Sequence, residues 1–97
     1  MIEKNNTTCF FENNIIVYEE SLGIKNTINL NNNIYERETE EFLFKINFNN
    51  NTMYYLLKEK NYELKDIKIS SQIIINDKIT LIYKLDDETK KIVVDFI

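Results

Sequence analysis

Apolar and polar residues alternate with a period of two along most of this chain. In Phe42-Leu43-Phe44-Lys45-Ile46-Asn47-Phe48, the residues Phe42, Phe44, Ile46 and Phe48 share one face while Lys45 and Asn47 point the other way, as strand geometry requires. The same alternation groups Ile79, Leu81, Tyr83 and Leu85 opposite Thr80 and Lys84. It also groups Ile92, Val94 and Phe96 opposite Lys91 and Asp95, and Ile24, Ile28 and Leu30 opposite Lys25, Thr27 and Asn29.

Polar clusters punctuate these runs about every ten residues, the spacing of an antiparallel meander. Glu12-Asn13-Asn14, Ser21-Leu22-Gly23, Asn31-Asn32-Asn33, Asn49-Asn50-Asn51, Asn76-Asp77 and Asp86-Asp87-Glu88-Thr89 read as turns. Asn and Asp tolerate positive φ better than other residues with a Cβ, so they replace the glycine this chain almost wholly lacks. Its one glycine, Gly23, marks a tight turn.

The pattern predicts strands over 7–12, 15–21, 24–30, 34–39, 42–48, 52–57, 62–75, 78–85 and 90–97. In the long seventh strand, Leu64 and Ile67 are three apart, whereas Ile67, Ile69, Ile73 and Ile75 keep step. A β-bulge or break is therefore expected near Lys65-Asp66. Met53 to Tyr62 carries helical spacing at Tyr54, Leu57 and Lys58 and suits a short helix or a strand equally.

Strands of one amphipathic type leave open edges unless the sheet closes. With hairpin-length loops, closure gives one all-β domain over 1–97, an up-and-down antiparallel β-barrel of eight or nine strands. A sandwich is the alternative, but no gap is long enough for an obvious Greek-key crossover. The interior is expected from Phe42, Phe44, Ile46, Phe48, Ile79, Leu81, Tyr83, Leu85, Ile92, Val94 and Phe96.

Five segments in order carry a family resemblance: Ile16-Val17-Tyr18-Glu19-Glu20, Thr27-Ile28-Asn29-Leu30, Ile34-Tyr35-Glu36-Arg37, Met53-Tyr54-Tyr55 and Leu81-Ile82-Tyr83-Lys84-Leu85. Over roughly residues 9 to 97 the chain resembles the YwiB-like family of small bacterial calycin-type β-barrels, a domain of unknown function. The resemblance implies a closed lipocalin-like barrel in a cytoplasmic bacterial protein, and no particular activity. Family members are longer, and a glycine usually follows the arginine where this chain has Glu38-Thr39-Glu40-Glu41. Such trimmed loops argue against a deep ligand pocket.

Composition narrows the chemistry. With no histidine, the chain lacks the commonest general base and transition-metal ligand, so Ser-His-Asp, Cys-His and His-metal catalysis are excluded. Cys9 is the single cysteine; it permits no intramolecular disulfide or thiolate cluster and reads as a small apolar strand residue in a reducing compartment. One glycine cannot build a phosphate loop, a nucleophile elbow or a dinucleotide fingerprint. Met1 to Thr8 has no apolar run resembling an export signal, and no later stretch reaches membrane-spanning length. The 16 Ile and 15 Asn reflect a bias that an AT-rich coding sequence produces without selection on function.

The net charge is −4, and the basic residues are scattered, which disfavours nucleic acid as a partner. The run Lys58, Lys60, Lys65, Lys68 is interrupted by Glu59, Glu63 and Asp66 and reads as a solvated face. Glu36, Glu38, Glu40 and Glu41 lack the Asp, Asn and Gly layout of a calcium loop. No cofactor or metal is expected.

Glu19 and Glu20 are adjacent in a strand and so point to opposite faces. If Ile15 and Val17 face the core, Glu19 enters it; if Ile16 and Tyr18 do, Glu20 enters. Either carboxylate needs a partner, and Arg37, the only arginine, is the natural one. Tyr18, Glu20, Arg37 and Tyr83 are the candidate ligand-binding residues, placed at the rim of an interior that phenylalanines are expected to fill. The expected function is a non-enzymatic cytoplasmic binding or interaction module. The alternatives are an acidic inhibitor using Glu36, Glu38, Glu40, Glu41, Asp86, Asp87 and Glu88 against a basic partner, and a carboxylate-dependent enzyme using Glu19 or Glu20.

Overall fold

The computed structural model describes the backbone of residues 2–5, 9–21 and 23–95, and the side chains of 12–21 and 23–94. The described residues form eleven strands: β1 Ile2–Asn5, β2 Cys9–Glu12, β3 Ile15–Ser21, β4 Ile24–Asn29, β5 Ile34–Glu38, β6 Phe42–Asn47, β7 Thr52–Leu57, β8 Tyr62–Lys68, β9 Ser70–Ile75, β10 Lys78–Leu85 and β11 Glu88–Asp95. The all-β class and the hairpin order follow the alternation read from the sequence. Met53 to Tyr62 forms no helix: Met53 to Leu57 lie in β7, residues 58–61 turn, and Tyr62 begins β8.

The strands form two sheets. Strands β2 to β8 run in sequence order in a seven-stranded antiparallel sheet, and the other sheet has the order β1-β11-β10-β9. The β1–β11 pair is parallel, with Ile2 opposite Lys91 and Asn5 opposite Val94. Among the described residues the hydrogen-bonded ladder is thus divided, where a single closed barrel was expected. The division falls within the long segment 62–75. Ile69 belongs to neither ladder, and its N–H is donated instead to the Asn51 carbonyl at 3.0 Å, so β8 ends on one sheet and β9 begins on the other.

The expected bulge is present. Met53 pairs with Ile67 but Tyr55 pairs with Leu64, which inserts one extra residue around Lys65-Asp66. Asp66 has φ +52° there. All seven non-glycine residues with positive φ among those described are Asn or Asp, namely Asn13, Asn14, Asn33, Asn51, Asn61, Asp66 and Asp86. Each supplies the left-handed backbone that a tight turn or bulge demands. Gly23, at φ +84°, does so between β3 and β4.

The two sheets pack through their apolar faces. Ile16, Tyr18, Ile28, Tyr35, Phe44 and Ile46 from the larger sheet, with Phe48 just past the end of β6, meet Ile79, Leu81, Tyr83, Ile92 and Val94 from the smaller. The Tyr83 ring lies 6.4 Å from Tyr35 and 5.8 Å from Phe44, centroid to centroid. Phe42 and Leu85 are partly buried against this core; Phe96 lies outside the described residues. Ile67 on β8 and Ile75 on β9, the outer strands of their sheets, are 38% and 50% exposed.

Candidate functional site

Glu20 reaches the interior through a second bulge. Glu19 pairs with Lys25 and Ser21 with Ile24, so Glu20 is the extra residue of β3. Ile16 and Tyr18 are buried and Glu19 is exposed, which realises the phase that turns Glu20 inward. Arg37 follows Tyr35 on the inward face of β5, and Asn26 of β4 stands in register between Tyr18 and Arg37.

These residues form a continuous chain of hydrogen bonds. Arg37 Nε donates to Glu20 Oε1 at 2.8 Å and Nη2 to Oε2 at 3.2 Å, a two-point grip on the carboxylate. Asn26 Nδ2 also donates to Oε1, at 2.8 Å. The Asn26 Oδ1 accepts the Tyr35 hydroxyl at 2.5 Å. Asn26 and Tyr35 are both 0% exposed, so each group depends on the other for its hydrogen bonding. The guanidinium also lies 5.8 Å from the Phe42 ring centroid, within cation–π range.

The electrostatics follow from this geometry. Burial raises the Glu20 pKa, but the hydrogen bonds from Arg37 and Asn26 and the Arg37 charge together outweigh it, leaving the carboxyl below its ordinary value. Burial pushes the Tyr35 hydroxyl far up, reinforced by Tyr18, Tyr83 and Glu20 and opposed by Arg37. Tyr35 is therefore a permanently neutral donor.

Beside the network a pocket of about 960 Å³ opens to solvent between the sheets. Its wall includes Phe42, Phe44, Met53, Tyr55, Leu64, Ile67, Tyr83 and Leu85, and its charged residues are Arg37, Lys68, Lys84, Asp86 and Lys90. The pocket is open to solvent and is not an enclosed cavity; Phe44 and Phe48 are buried in the core, and Phe42 is partly buried against it. Phe42 stacks on Tyr55 at 5.8 Å, so the aromatic rings there pack along the wall instead of plugging the space. Of the four candidates, Arg37 and Tyr83 line the pocket; Tyr18 and Glu20 do not.

Sequence reasoning missed Asn26 and the central place of Tyr35. Asn26 was legible in principle, because it holds the inward phase between Ile24 and Ile28. The acidic residues disperse: Glu36 pairs with Lys45 at 3.5 Å and Glu38 with Lys58 at 2.8 Å on the outer surface. Among the described residues no three Cys, Asp or Glu side chains converge to hold a metal ion, and no helix is long and apolar enough to cross a membrane. Comparison with known proteins finds no matching family model, no matching curated protein and no matching solved structure.

Proposed function

We propose that this protein is a non-enzymatic module that binds a small molecule between its sheets. The observation carrying this reading is the pocket of about 960 Å³ with its mainly apolar wall, at the upper end of the roughly 300–1,000 Å³ range of ligand sites. Arg37, held by Glu20, connects the Glu20–Arg37–Asn26–Tyr35 chain to one side of the pocket. Glu20 supports the non-enzymatic side of the reading, since a carboxyl held below its ordinary pKa is a poor general acid and a weakened base.

The closed calycin-type barrel and the YwiB-like affiliation belong to the same proposal. At both seams between the sheets the outer strands are consecutive in the chain, β1 with β2 and β8 with β9. Counting β8 and β9, separated by Ile69 alone, as one bent strand carries the sheet from one ladder to the other at that seam. A cytoplasmic setting accords with the lone cysteine.

Titration of the labelled protein with a library of apolar and aromatic fragments tests the binding function. Shifts should concentrate at the Met53 methyl and the Phe42, Tyr55 and Tyr83 rings. Shifts spread over the outer faces, or hydrolytic turnover abolished by Glu20→Gln, would reverse the reading.

A further inference from the structure

The charge of the pocket opposes the charge of the molecule. The chain carries a net −4, yet four cations and a single acid, Asp86, surround the pocket. Arg37 grips Glu20. Lys68, Lys84 and Lys90 make no ion pair among the described residues. On the outer surface, by contrast, Lys45, Lys58 and Lys65 each meet a glutamate.

Lys90 is the most telling of the three. Ile92 and Val94 on the same strand are buried, so alternation places Lys90 on the inward face, opposite Tyr83 in register. It is half-buried and borders the pocket. An ammonium without a carboxylate partner favours any negative group that can reach it.

We propose that the pocket takes an amphipathic anion, a molecule with an apolar body and one negatively charged head. The head meets Lys90, and the body lies along Phe42, Phe44 and Met53. Lys68 and Lys84 add a local positive potential that attracts the head against the overall negative charge. This inference rests on the reading of the protein as a small-molecule binding module. A neutral ligand of the same shape leaves Lys90 uncompensated, and a cation adds repulsion, so the order of affinity is anion, neutral, cation.

Calorimetric titration of the whole protein with dodecanoate, dodecanol and dodecyltrimethylammonium, each below its micelle concentration, tests the order. Dodecanoate should bind about tenfold more tightly than dodecanol, a difference set by one charge–charge contact. Lys90→Met keeps the aliphatic bulk and should bring the affinity for dodecanoate close to that for dodecanol, so that the ratio of the two falls towards one. In the unmodified protein, raising ionic strength from about 20 to about 500 mM should shrink the dodecanoate advantage by screening and spare dodecanol. Equal affinity for dodecanoate and dodecanol overturns the anion preference while the pocket stands as a binding site. If none of the three binds, both the preference and the binding function fall.

Discussion

Glu20 sits at the edge of an apolar core with its side chain 21% exposed, and three hydrogen bonds from Arg37 and Asn26 offset its desolvation. Removing Arg37 strands that carboxylate, which in a fully buried pair costs several kcal/mol. Arg37 is 31% exposed, so solvent screening reduces the loss to about 2 kcal/mol. For a domain of this size Arg37→Ala should lower Tm by about 10 °C. Glu20→Gln combined with Arg37→Met should cost less than Arg37→Ala alone, because no charge is left behind. The loss also depends on pH with a definite sign. Glu20 has a folded pKa below its ordinary 4.5, so the stabilisation is fully present above 4.5 and disappears as pH falls through the lower folded value. Thermal melts of wild type and Arg37→Ala should therefore differ at neutral pH and converge in acid. A constant gap across that range would show that Arg37 acts through packing alone.

Between neighbouring elements, asparagine does the joining. Asn31 Nδ2 donates to the Asn13 carbonyl at 3.0 Å, and Asn49 Nδ2 donates to the Asn32 carbonyl at 3.1 Å, which ties successive turns at one end of the larger sheet. Asn51 extends the series to the other sheet. It has φ +57°, its carbonyl accepts the Ile69 N–H, and its Oδ1 accepts the Ser71 hydroxyl at 2.6 Å. Asn51→Ala removes the side-chain acceptor and forces an alanine into left-handed backbone, for a loss of about 1–2 kcal/mol. Asn51→Gly keeps the backbone and should lose less. Urea midpoints for the two variants check the order, and an alanine variant as stable as the glycine one would sink it. The abundance of Asn reads as compositional bias in the sequence, since nothing local reveals that turns far apart in the chain lie side by side. Period-two signals such as Phe42 to Phe48 and Ile79 to Leu85 were legible because alternation is local, and so was the bulge at Lys65-Asp66. The inward partner of Glu20 was legible as Arg37, since a single arginine left no other bidentate choice. The pocket was not legible, because its wall draws on strands from β5 to β11, which local alternation does not bring together.

At the scale of the whole molecule, the least local feature is the parallel pairing of β1 with β11. Ile2-Glu3-Lys4-Asn5 has no alternation that would mark it as a strand, and the pairing with Lys91 to Val94 is what makes it one. It joins residues almost a full chain length apart, so its loop-closure entropy is met only after the intervening hairpins have formed. The β1–β11 contact should accordingly be the weakest part of the smaller sheet, while β5 and β6, flanked on both sides by antiparallel neighbours, should be among the strongest. A variant lacking residues 1–5 should keep the seven-stranded sheet and its slow-exchanging amides in β5 and β6. The same variant should lose hydrogen-exchange protection at residues 91–94 by about tenfold or more, since β11 becomes an open edge. Equal protection at 91–94 in the shortened and full chains would mean that β1 contributes nothing to the smaller sheet, and that β10 alone holds β11 against the core through Ile92 and Val94.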